Sequence, residues 1–251
     1  MQLAGAVALV TGGSSGIGTA TARALAAAGA RPLVAGRDPC RLDAIARETG
    51  GVALQADLAA PGGPEKLAAA ALDAAGQVDL LVNNAGVGWA GPIGQLTVTE
   101  AEELVTVNLT APIALTALLA PGMVERGSGR IVFVSSIAGT TGVCREAAYS
   151  ATKAGLEYFA ESLRYELDGP GVGVSLIVAG VADTPFFERR GSPYDRSWPV
   201  PLPAERVARA IVAAAQQDHR AVFVPRWMRI PARLHGAAPG AFRVLATRFG
   251  Y

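Results

Sequence analysis

The hydrophobic positions of this chain fall into short runs rich in β-branched residues, which alternate with longer alanine-rich stretches of helical periodicity. Such alternation predicts βαβ units, whose helices cover both faces of a buried parallel sheet. Seven strands are predicted, at 7–11, 31–36, 51–56, 79–82, 130–135, 173–178 and 221–224. Helices are expected in the gaps, including 17–28, 64–75, a long one around 100–125, 147–167 and 204–217.

The pattern continues without a break, so we expect residues 1–251 to form one doubly wound α/β domain. Two segments depart from it. Residues 184–203 combine prolines, arginines and aromatic side chains without periodicity, and such a stretch inside a compact chain is more often a functional lid than a linker. Residues 225–251 form a basic, amphipathic tail, whose prolines exclude one continuous helix.

Composition narrows the function classes. The 251 residues are 51% hydrophobic and carry a formal net charge of +1, so no whole-molecule field favours nucleic acid. Cys40 and Cys144 lie far apart without a C-x-x-C spacing or a histidine cluster, which argues against a disulfide framework and a metal site. The apolar start reads as a strand rather than a signal peptide, and no uninterrupted apolar stretch reaches the roughly 18 residues of a membrane span. We therefore expect a cytoplasmic protein.

A glycine-rich turn, T-G-G-S-S-G-I-G at 11–18, joins the first predicted strand to the first predicted helix. Glycines at such a turn let the backbone approach a pyrophosphate, and a helix N-terminus offers free N–H groups to it. The alternative is a tight turn that only needs positive φ angles. The candidate cofactor contacts here are Gly12, Ser14, Ser15, Gly16, Ile17 and Gly18.

The end of the second strand carries Arg37, where a fold that prefers NAD would present an acidic residue to the ribose. An arginine there can pair with a 2′-phosphate, whereas a carboxylate would repel it. We therefore expect NADP(H), with NAD(H) as the alternative. Because Asp38 follows directly, Arg37 could instead only solvate a helix start.

Two further polar segments follow strands at the carboxyl edge of the predicted sheet, where open α/β sheets bind ligands. Asp57 and Leu58 follow the third strand, and the motif N-N-A-G, with Asn84, Ala85 and Gly86, closes the fourth. Asp57 could accept a hydrogen bond from an adenine amine or could cap a helix. The asparagine motif could contact the cofactor or could form a structural turn.

Tyr149 and Lys153 occur in the sequence Y-S-A-T-K, and Lys66 is the only other lysine among 22 basic residues. A spacing of four places both side chains on one helix face, where the ammonium could favour a phenolate and so lower the tyrosine pKa. Such a tyrosine could exchange protons with a substrate. The alternative is a tyrosine packed between helices beside an ordinary solvated lysine.

Together, the glycine-rich turn, N-N-A-G, Asn108 in a long helix, the serines after the fifth strand and Y-S-A-T-K resemble the short-chain dehydrogenase/reductase family. The resemblance implies a Rossmann-like fold and a catalytic tetrad of Asn108, Ser136, Tyr149 and Lys153. It implies that Tyr149 protonates the substrate oxygen during reduction, that Ser136 holds this oxygen, and that Asn108 holds a water in a proton relay. Lys153 would also bind the nicotinamide ribose, and Ser135 would be structural.

The resemblance also assigns Gly180 and Thr184 to the cofactor site, although Ala179 stands where the family commonly has a proline. Losing that rigid residue is expected to loosen the loop. Trp89, Val143, Phe186 and Phe187 are candidate substrate contacts, typical of an apolar, bulky carbonyl or alcohol. The aromatic residues of the lid could equally pack the loop onto the body.

The leading hypothesis is therefore an NADP(H)-dependent oxidoreductase that interconverts a ketone and a secondary alcohol, acting as a homodimer or homotetramer. The alternatives are an NAD-dependent alcohol or hydroxysteroid-type dehydrogenase, a lipid reductase docked to a membrane through the basic tail, and a non-catalytic dinucleotide-binding scaffold. The tail could also cover a partner subunit or the sheet edge instead of a membrane.

Overall fold

A computed structural model describes residues 1–169 and 171–248, so the last three residues of the predicted tail lie outside the described part. The strands are β1 (Val7–Thr11), β2 (Arg31–Gly36), β3 (Val52–Gln55), β4 (Leu80–Asn83), β5 (Gly129–Ser136), β6 (Val172–Ala179), β7 (Ala182–Asp183), β8 (Leu202–Pro203) and β9 (Ala221–Val224). The helices are α1 (Gly16–Ala27), α2 (Pro39–Thr49), α3 (Gly63–Ala75), α4 (Val98–Val105), α5 (Ala111–Glu125), α6 (Ile137–Thr141), α7 (Ala147–Glu166), α8 (Phe186–Arg189), α9 (Ala204–Gln217), α10 (Arg229–Ala237) and α11 (Pro239–Arg248).

Seven strands form one parallel sheet in the order β3-β2-β1-β4-β5-β6-β9, which confirms the predicted doubly wound α/β fold. The chain moves outward from β1 through β2 to β3 and then returns to place β4 on the other side of β1. This reversal is the switch point at which such sheets bind ligands, outside the carboxyl ends of the strands.

The alternation of side chains along the strands divides the core into two layers. Leu9 packs with Ile131 and Phe133 on one face of the sheet, whereas Val10 packs with Val82 on the other. Since both faces are covered by helices, every residue of β1 is buried. The near-continuous apolar runs of the sequence follow from this double burial.

The predicted long helix consists of α4, a π-helical turn at Thr106–Thr110 and α5. The proline at the second position of α5 has no N–H to donate to the carbonyl of Asn108 four residues earlier, and the irregular turn lies where that hydrogen bond is missing. By length and composition the run Val98–Glu125 could cross a membrane, but half of its most apolar stretch is buried against the body of the protein, as expected of a core helix.

The lid predicted at 184–203 is bounded by a second, two-stranded sheet in which β7 pairs with β8. It contains the short helix α8. The tail folds as a 3₁₀ turn at Arg226–Met228 followed by α10 and α11, so the expected break in the helix is present. Trp198 of the lid stacks on Trp227 of the tail, with ring centroids 5.0 Å apart. The two irregular segments therefore contact each other.

Candidate active site

Two cavities open at the carboxyl edge of the sheet. The larger has a volume of about 1570 Å³ and runs from the glycine-rich turn past Tyr149 and Lys153 to the lid and the tail. The smaller, of about 180 Å³, is lined by Ser14, Arg37, Asp57 and Leu58 among others. Gly12, Ser15, Ala85 and Gly86 line both. The residues predicted to bind the cofactor are thus distributed along one continuous surface.

The glycine-rich turn needs its glycines for two different reasons. Gly12 and Gly16 have φ angles of +67° and +53°, in the left-handed region that favours glycine. Gly18 is instead required by close packing, because a Cβ there would collide with the backbone of Gly12 and approach the Asn84 amide nitrogen to 2.7 Å. Gly18 does not line either cavity, so its role is to bring α1 against the turn rather than to contact a ligand.

Helix α1 begins in this turn, and its N-terminus fits a pyrophosphate. The N-cap residue, Ser15, makes no side-chain hydrogen bond to the first turn, and Ser15, Gly16 and Ile17 all line the larger cavity. Backbone N–H groups at a helix N-terminus bind anions because they lack intrahelical partners and lie at the positive end of the helix dipole.

Asn84 has a structural role in this site. Its amide nitrogen donates to the Thr11 carbonyl at 2.8 Å, while the Thr11 hydroxyl accepts from the N–H groups of Asn84 and Ala85, each at 3.0 Å. These bonds join the ends of β1 and β4 on the two sides of the switch point. The Asn84 side chain therefore forms a structural turn, although Asn84 lines the larger cavity together with Ala85 and Gly86.

The expectation that Asp57 could cap a helix is wrong, because Gly62 caps α3. The Asp57 carboxylate instead accepts the N–H of Ala59 at 3.0 Å, and the residue lines the smaller cavity with Leu58. Asp38 is the N-cap of α2, with its carboxylate accepting from Arg41 N–H at 3.1 Å. Arg37 is exposed and borders both cavities.

The two serines at the end of β5 face different partners. Both serines border the cavity, but the Ser135 side chain is buried and donates to the Glu157 carboxylate at 2.8 Å, whereas the Ser136 side chain caps α6 by accepting from Ala138 N–H at 3.2 Å. Ser136 also forms a hydrogen bond with Tyr149. The strand thus presents Ser136 to the tyrosine and turns Ser135 into the body of the protein.

Burial raises the pKa of Tyr149 well above its ordinary value, and the hydrogen bond with Ser136 opposes this only in part. The predicted lowering of the tyrosine pKa by Lys153 is therefore not present in this structure. The Lys153 ammonium donates to the Val134 carbonyl at 3.0 Å and lies over the face of the tyrosine ring, 5.9 Å from its centre, as a cation–π contact. The phenol of Tyr149 is held protonated.

Lys153 itself is buried, which lowers its pKa to about 8, although the nearby Glu157 carboxylate raises it. Gly86 faces the ammonium closely: a Cβ at this glycine would lie 3.5 Å from Nζ of Lys153 and 3.2 Å from Oδ1 of Asn108. The absence of a side chain at Gly86 leaves room between the lysine and the cavity.

Asn108 lies in the π-helical turn behind Lys153 and is fully buried. Its Oδ1 accepts from Val87 N–H at 2.8 Å, and its amide nitrogen donates to the Val87 carbonyl at 2.9 Å and to the Thr152 hydroxyl at 3.2 Å. The side chain therefore ties the loop after β4 to α7, and it does not line either cavity.

Gly180 and Thr184 lie at opposite ends of the loop that leads into the lid. Gly180 donates its N–H to the Val224 carbonyl at 2.8 Å and packs against Met228, so the tail holds the loop from which the family proline is missing. The Thr184 side chain lies against Gly16, where an added Cβ would approach Thr184 Cγ2 to 2.9 Å. The base of the lid thus contacts the glycine-rich turn.

The predicted substrate contacts divide into two groups. Val143, Phe186 and Phe187 line the large cavity, and the Phe186 ring lies 5.7 Å from the Tyr149 ring. Trp89 does not line it: it packs in the apolar cluster behind Tyr149 and hydrogen-bonds the Glu100 carboxylate. Trp89 therefore supports the wall of the cavity instead of lining it, which corrects its assignment as a substrate contact.

Several residues of the cavity escape the sequence analysis. Arg190 of the lid forms an ion pair with Glu146 at 2.6 Å and lies over the Phe187 ring, 4.6 Å from its centre. The tail adds an apolar wall made of Trp227, Met228, Ile230, Pro231, Leu234 and Phe242. The contacts of Arg190 and of the apolar tail join segments that are distant in the sequence, so no local motif predicts them. The apolar residues of the tail are the only sequence signal for the second group.

A family model described as short chain dehydrogenase matches residues 6–195. The mouse protein dehydrogenase/reductase SDR family member 7B is 33% identical over 98% of this chain and 82% of its own length. A short-chain dehydrogenase from Sphingobium yanoikuyae in complex with NADPH superposes with a TM-score of 0.83 at 29% identity, covering 94% of this chain and 95% of its own.

A 3-ketoacyl-(acyl-carrier-protein) reductase from Brucella melitensis complexed with NADH superposes with a TM-score of 0.82 at 28% identity, covering 88% of this chain and 97% of its own. The two solved relatives thus carry different nicotinamide dinucleotides, although their folds are alike.

Proposed function

This chain belongs to the short-chain dehydrogenase/reductase family of oxidoreductases, and we propose on that basis that it interconverts a ketone and a secondary alcohol with NADP(H). The observation that carries the proposal is the hydrogen bond between Tyr149 and Ser136 in a cavity that continues past Lys153 to the glycine-rich turn and α1. The NADPH complex of the related Sphingobium enzyme supports the cofactor.

The nicotinamide, when bound, supplies the hydride to the carbonyl carbon or accepts it from the alcohol. Tyr149 donates its phenolic proton to the carbonyl oxygen as the alcohol forms, while the Ser136 hydroxyl holds that oxygen by a hydrogen bond. Lys153 would hold the ribose hydroxyls of the bound cofactor, and its charge over the tyrosine ring would stabilise the tyrosinate that remains. Burial keeps the phenol of the free Tyr149 protonated but also makes it a weaker acid, so the charge of Lys153 is needed to stabilise the tyrosinate during reduction.

The substrate is proposed to be an apolar, bulky carbonyl compound. The large cavity exceeds the roughly 300–1,000 Å³ of typical ligand pockets, which leaves space for a dinucleotide and a second molecule. The cavity wall beyond Tyr149 is formed by Phe186, Phe187 and Val143 and is closed by the apolar wall of the tail. We therefore propose that the ketone binds between these apolar walls, beside charged residues such as Glu146, Arg190 and Arg196 that line the same cavity.

We propose that the protein is cytoplasmic and that it forms a homodimer or a homotetramer. The exposed Tyr158 and Tyr165 on α7 offer apolar surface for association, with 78% and 72% of their area accessible. The apolar side chains of the tail line the protein's own cavity, and this favours an intramolecular role of the tail over membrane docking.

Arg37 is expected to determine the preference for NADPH. In Arg37→Asp, the affinity for NADPH should fall about tenfold or more, because a carboxylate would replace a cation beside the 2′-phosphate, while the affinity for NADH should stay the same or rise. The measurement is the quenching or enhancement of nicotinamide fluorescence during titration with each dinucleotide. Arg47→Asp is the matched control, because Arg47 is exposed on α2, the helix that follows Arg37, and lies outside both cavities. Unchanged NADPH affinity in Arg37→Asp would reject the role of Arg37.

The activity is expected to depend on the protonation of Lys153. Because its pKa is lowered to about 8, the charged form predominates below that pH and is lost above it. We expect kcat/KM for NADPH in ketone reduction to be constant below pH 8 and to fall toward tenfold per pH unit above it. A profile measured from pH 6 to pH 10 tests this, with the stability of the protein checked by circular dichroism at each pH. A flat profile up to pH 10 would be incompatible with a titrating Lys153.

A further inference from the structure

Arg189, the last residue of α8, reaches from the lid to the glycine-rich turn. Its Nη2 donates to the Ser15 hydroxyl at 2.6 Å, although the two residues are 174 positions apart in the chain. Its Nε donates to the carbonyl of Pro185 at 3.3 Å, which holds the side chain in this direction. Ser15 is the N-cap of α1, so the guanidinium lies beside the proposed pyrophosphate site.

Arg189 also faces two other arginines. Burial lowers the pKa of Arg189, and the positive charges of Arg41 and Arg37 lower it further, while Glu188 opposes this effect. All three arginines line the smaller cavity, together with the carboxylates of Asp38 and Asp57. Asp38 pairs with Arg41 at 3.1 Å and Asp57 accepts from the Ala59 N–H. Within residues 1–169 and 171–248, no salt bridge neutralises Arg37 or Arg189.

Like charges this close repel each other, so their arrangement is most stable when an anion lies between them. A guanidinium is well suited to bind such an anion, because its planar N–H groups can form two parallel hydrogen bonds to phosphate oxygens. The helix N-terminus on the other side of Ser15 favours the same kind of ligand.

We propose that Arg189 binds a phosphate group of the dinucleotide and thereby completes the cofactor site from the lid. This inference rests on the proposed function. The glycine-rich turn and Arg37 leave the cofactor site open on the side of the lid, and Arg189 would contact the cofactor from that side. The phosphate is either the pyrophosphate at α1 or the 2′-phosphate at Arg37, and both carry the chemistry that the guanidinium recognises.

Binding at Arg189 also acts on the other end of α8. Phe186 begins this helix and lies 5.7 Å from Tyr149, and Arg190, which follows Arg189, is paired with Glu146 beside α7. Because α8 is only four residues long, a phosphate that holds Arg189 also holds Phe186 over the tyrosine. Cofactor binding therefore orders the substrate wall.

The direct test compares the dissociation constants of NADPH and NADH for the wild-type protein, Arg189→Gln and Arg189→Lys. Arg189→Gln should weaken NADPH binding about tenfold, because one charge-assisted hydrogen bond at the rim is lost, and Arg189→Lys should recover part of that loss. Arg206→Gln is the matched control, since Arg206 is exposed on α9 and lies outside both cavities. Thermal unfolding of each free protein verifies that the fold is retained.

Each outcome has a distinct meaning. Equal weakening of NADPH and NADH assigns Arg189 to the pyrophosphate, and weakening of NADPH alone assigns it to the 2′-phosphate. If wild type binds NADPH and Arg189→Gln binds it equally well, the inference about Arg189 is wrong and the proposed function is unaffected. If wild type binds neither dinucleotide, the proposed function itself fails.

The effect on the lid has a separate readout. NADPH should slow cleavage by chymotrypsin at the aromatic residues of 184–203 in the wild-type protein, and Arg189→Gln should lose most of this protection at a NADPH concentration that saturates it. Chymotrypsin is suitable because it cleaves after aromatic residues, so Arg189→Gln removes none of its cleavage sites. Equal protection of both saturated proteins would overturn the coupling of the phosphate to the lid.

Discussion

Replacing Tyr149 with phenylalanine is expected to lower kcat for ketone reduction by about 10²- to 10⁴-fold, the range that general acid catalysis contributes. The substitution removes only the phenolic oxygen, so the ring keeps its contacts with Phe186 and the surrounding apolar cluster. Since no other described residue in this part of the cavity carries a hydroxyl bonded to Ser136, no group can take over the proton transfer. Dissociation constants for NADPH should stay within about twofold of wild type.

The matched control for this substitution is Tyr158→Phe on the same helix, because Tyr158 has 78% of its area exposed to solvent. Turnover is measured at saturating NADPH with one apolar ketone, and cofactor binding by fluorescence. The assignment of Tyr149 as the proton donor is wrong if Tyr149→Phe keeps turnover near that of Tyr158→Phe. Loss of cofactor binding along with turnover would instead indicate a structural defect.

Lys153→Arg is expected to reduce kcat/KM by about 100-fold or more while also weakening cofactor binding. The lysine is buried, its ammonium donates to the Val134 carbonyl, and Gly86 lies close to it. The guanidinium keeps a charge but is larger and planar, so it cannot reproduce a compact ammonium in this space. Since arginine does not lose its proton near pH 8, the fall of activity above that pH should also disappear.

Lys66→Arg is the matched control, because Lys66 is the only other lysine of the chain and lies exposed on α3. Both variants are compared in NADPH titrations and in pH profiles of the residual activity. A Lys153→Arg protein that retains wild-type turnover would show that charge alone is sufficient at this position. Retention of the fall in activity above pH 8 would assign that fall to another group.

The strands of the sheet are the part of the fold that the sequence specifies best. β1, β2 and β9 have the predicted bounds, and the others differ by one or two residues at their ends. Their runs are apolar on both faces because both faces are buried, and this leaves a strong signal within each short segment. The order of the strands follows from the doubly wound pattern rather than from any single residue.

The candidate site is recoverable from the sequence only where its parts are local. The glycine-rich turn and the pair of Tyr149 and Lys153 each lie within one short motif, and the family resemblance that these motifs carry locates Ser136. The direction of the Lys153 ammonium is not encoded in the spacing of this pair, because it depends on the Val134 carbonyl of a neighbouring strand. The expected lowering of the tyrosine pKa was wrong chiefly because Tyr149 is buried, which raises its pKa and which the spacing does not reveal either.

Contacts between distant segments are the main part that the sequence does not reveal. Trp89 follows the N-N-A-G motif, and this position predicted a ligand contact. Its side chain packs instead against the apolar cluster that contains Leu104 and Ala138, so it supports the wall of the cavity. Arg189 reaches Ser15 across 174 positions, with no periodicity or motif to connect them. Such contacts are decided by how the lid folds over the sheet, which local patterns do not specify.

The stacking of Trp198 on Trp227 has a consequence for how substrate preference can be transferred between relatives. A chimaera that received a foreign lid alone would leave Trp227 without its stacking partner, and one that received a foreign tail alone would do the same to Trp198. We therefore expect the two segments to function as one coupled unit, although about twenty residues of helix and strand separate them in the chain. Grafting experiments should exchange both segments together.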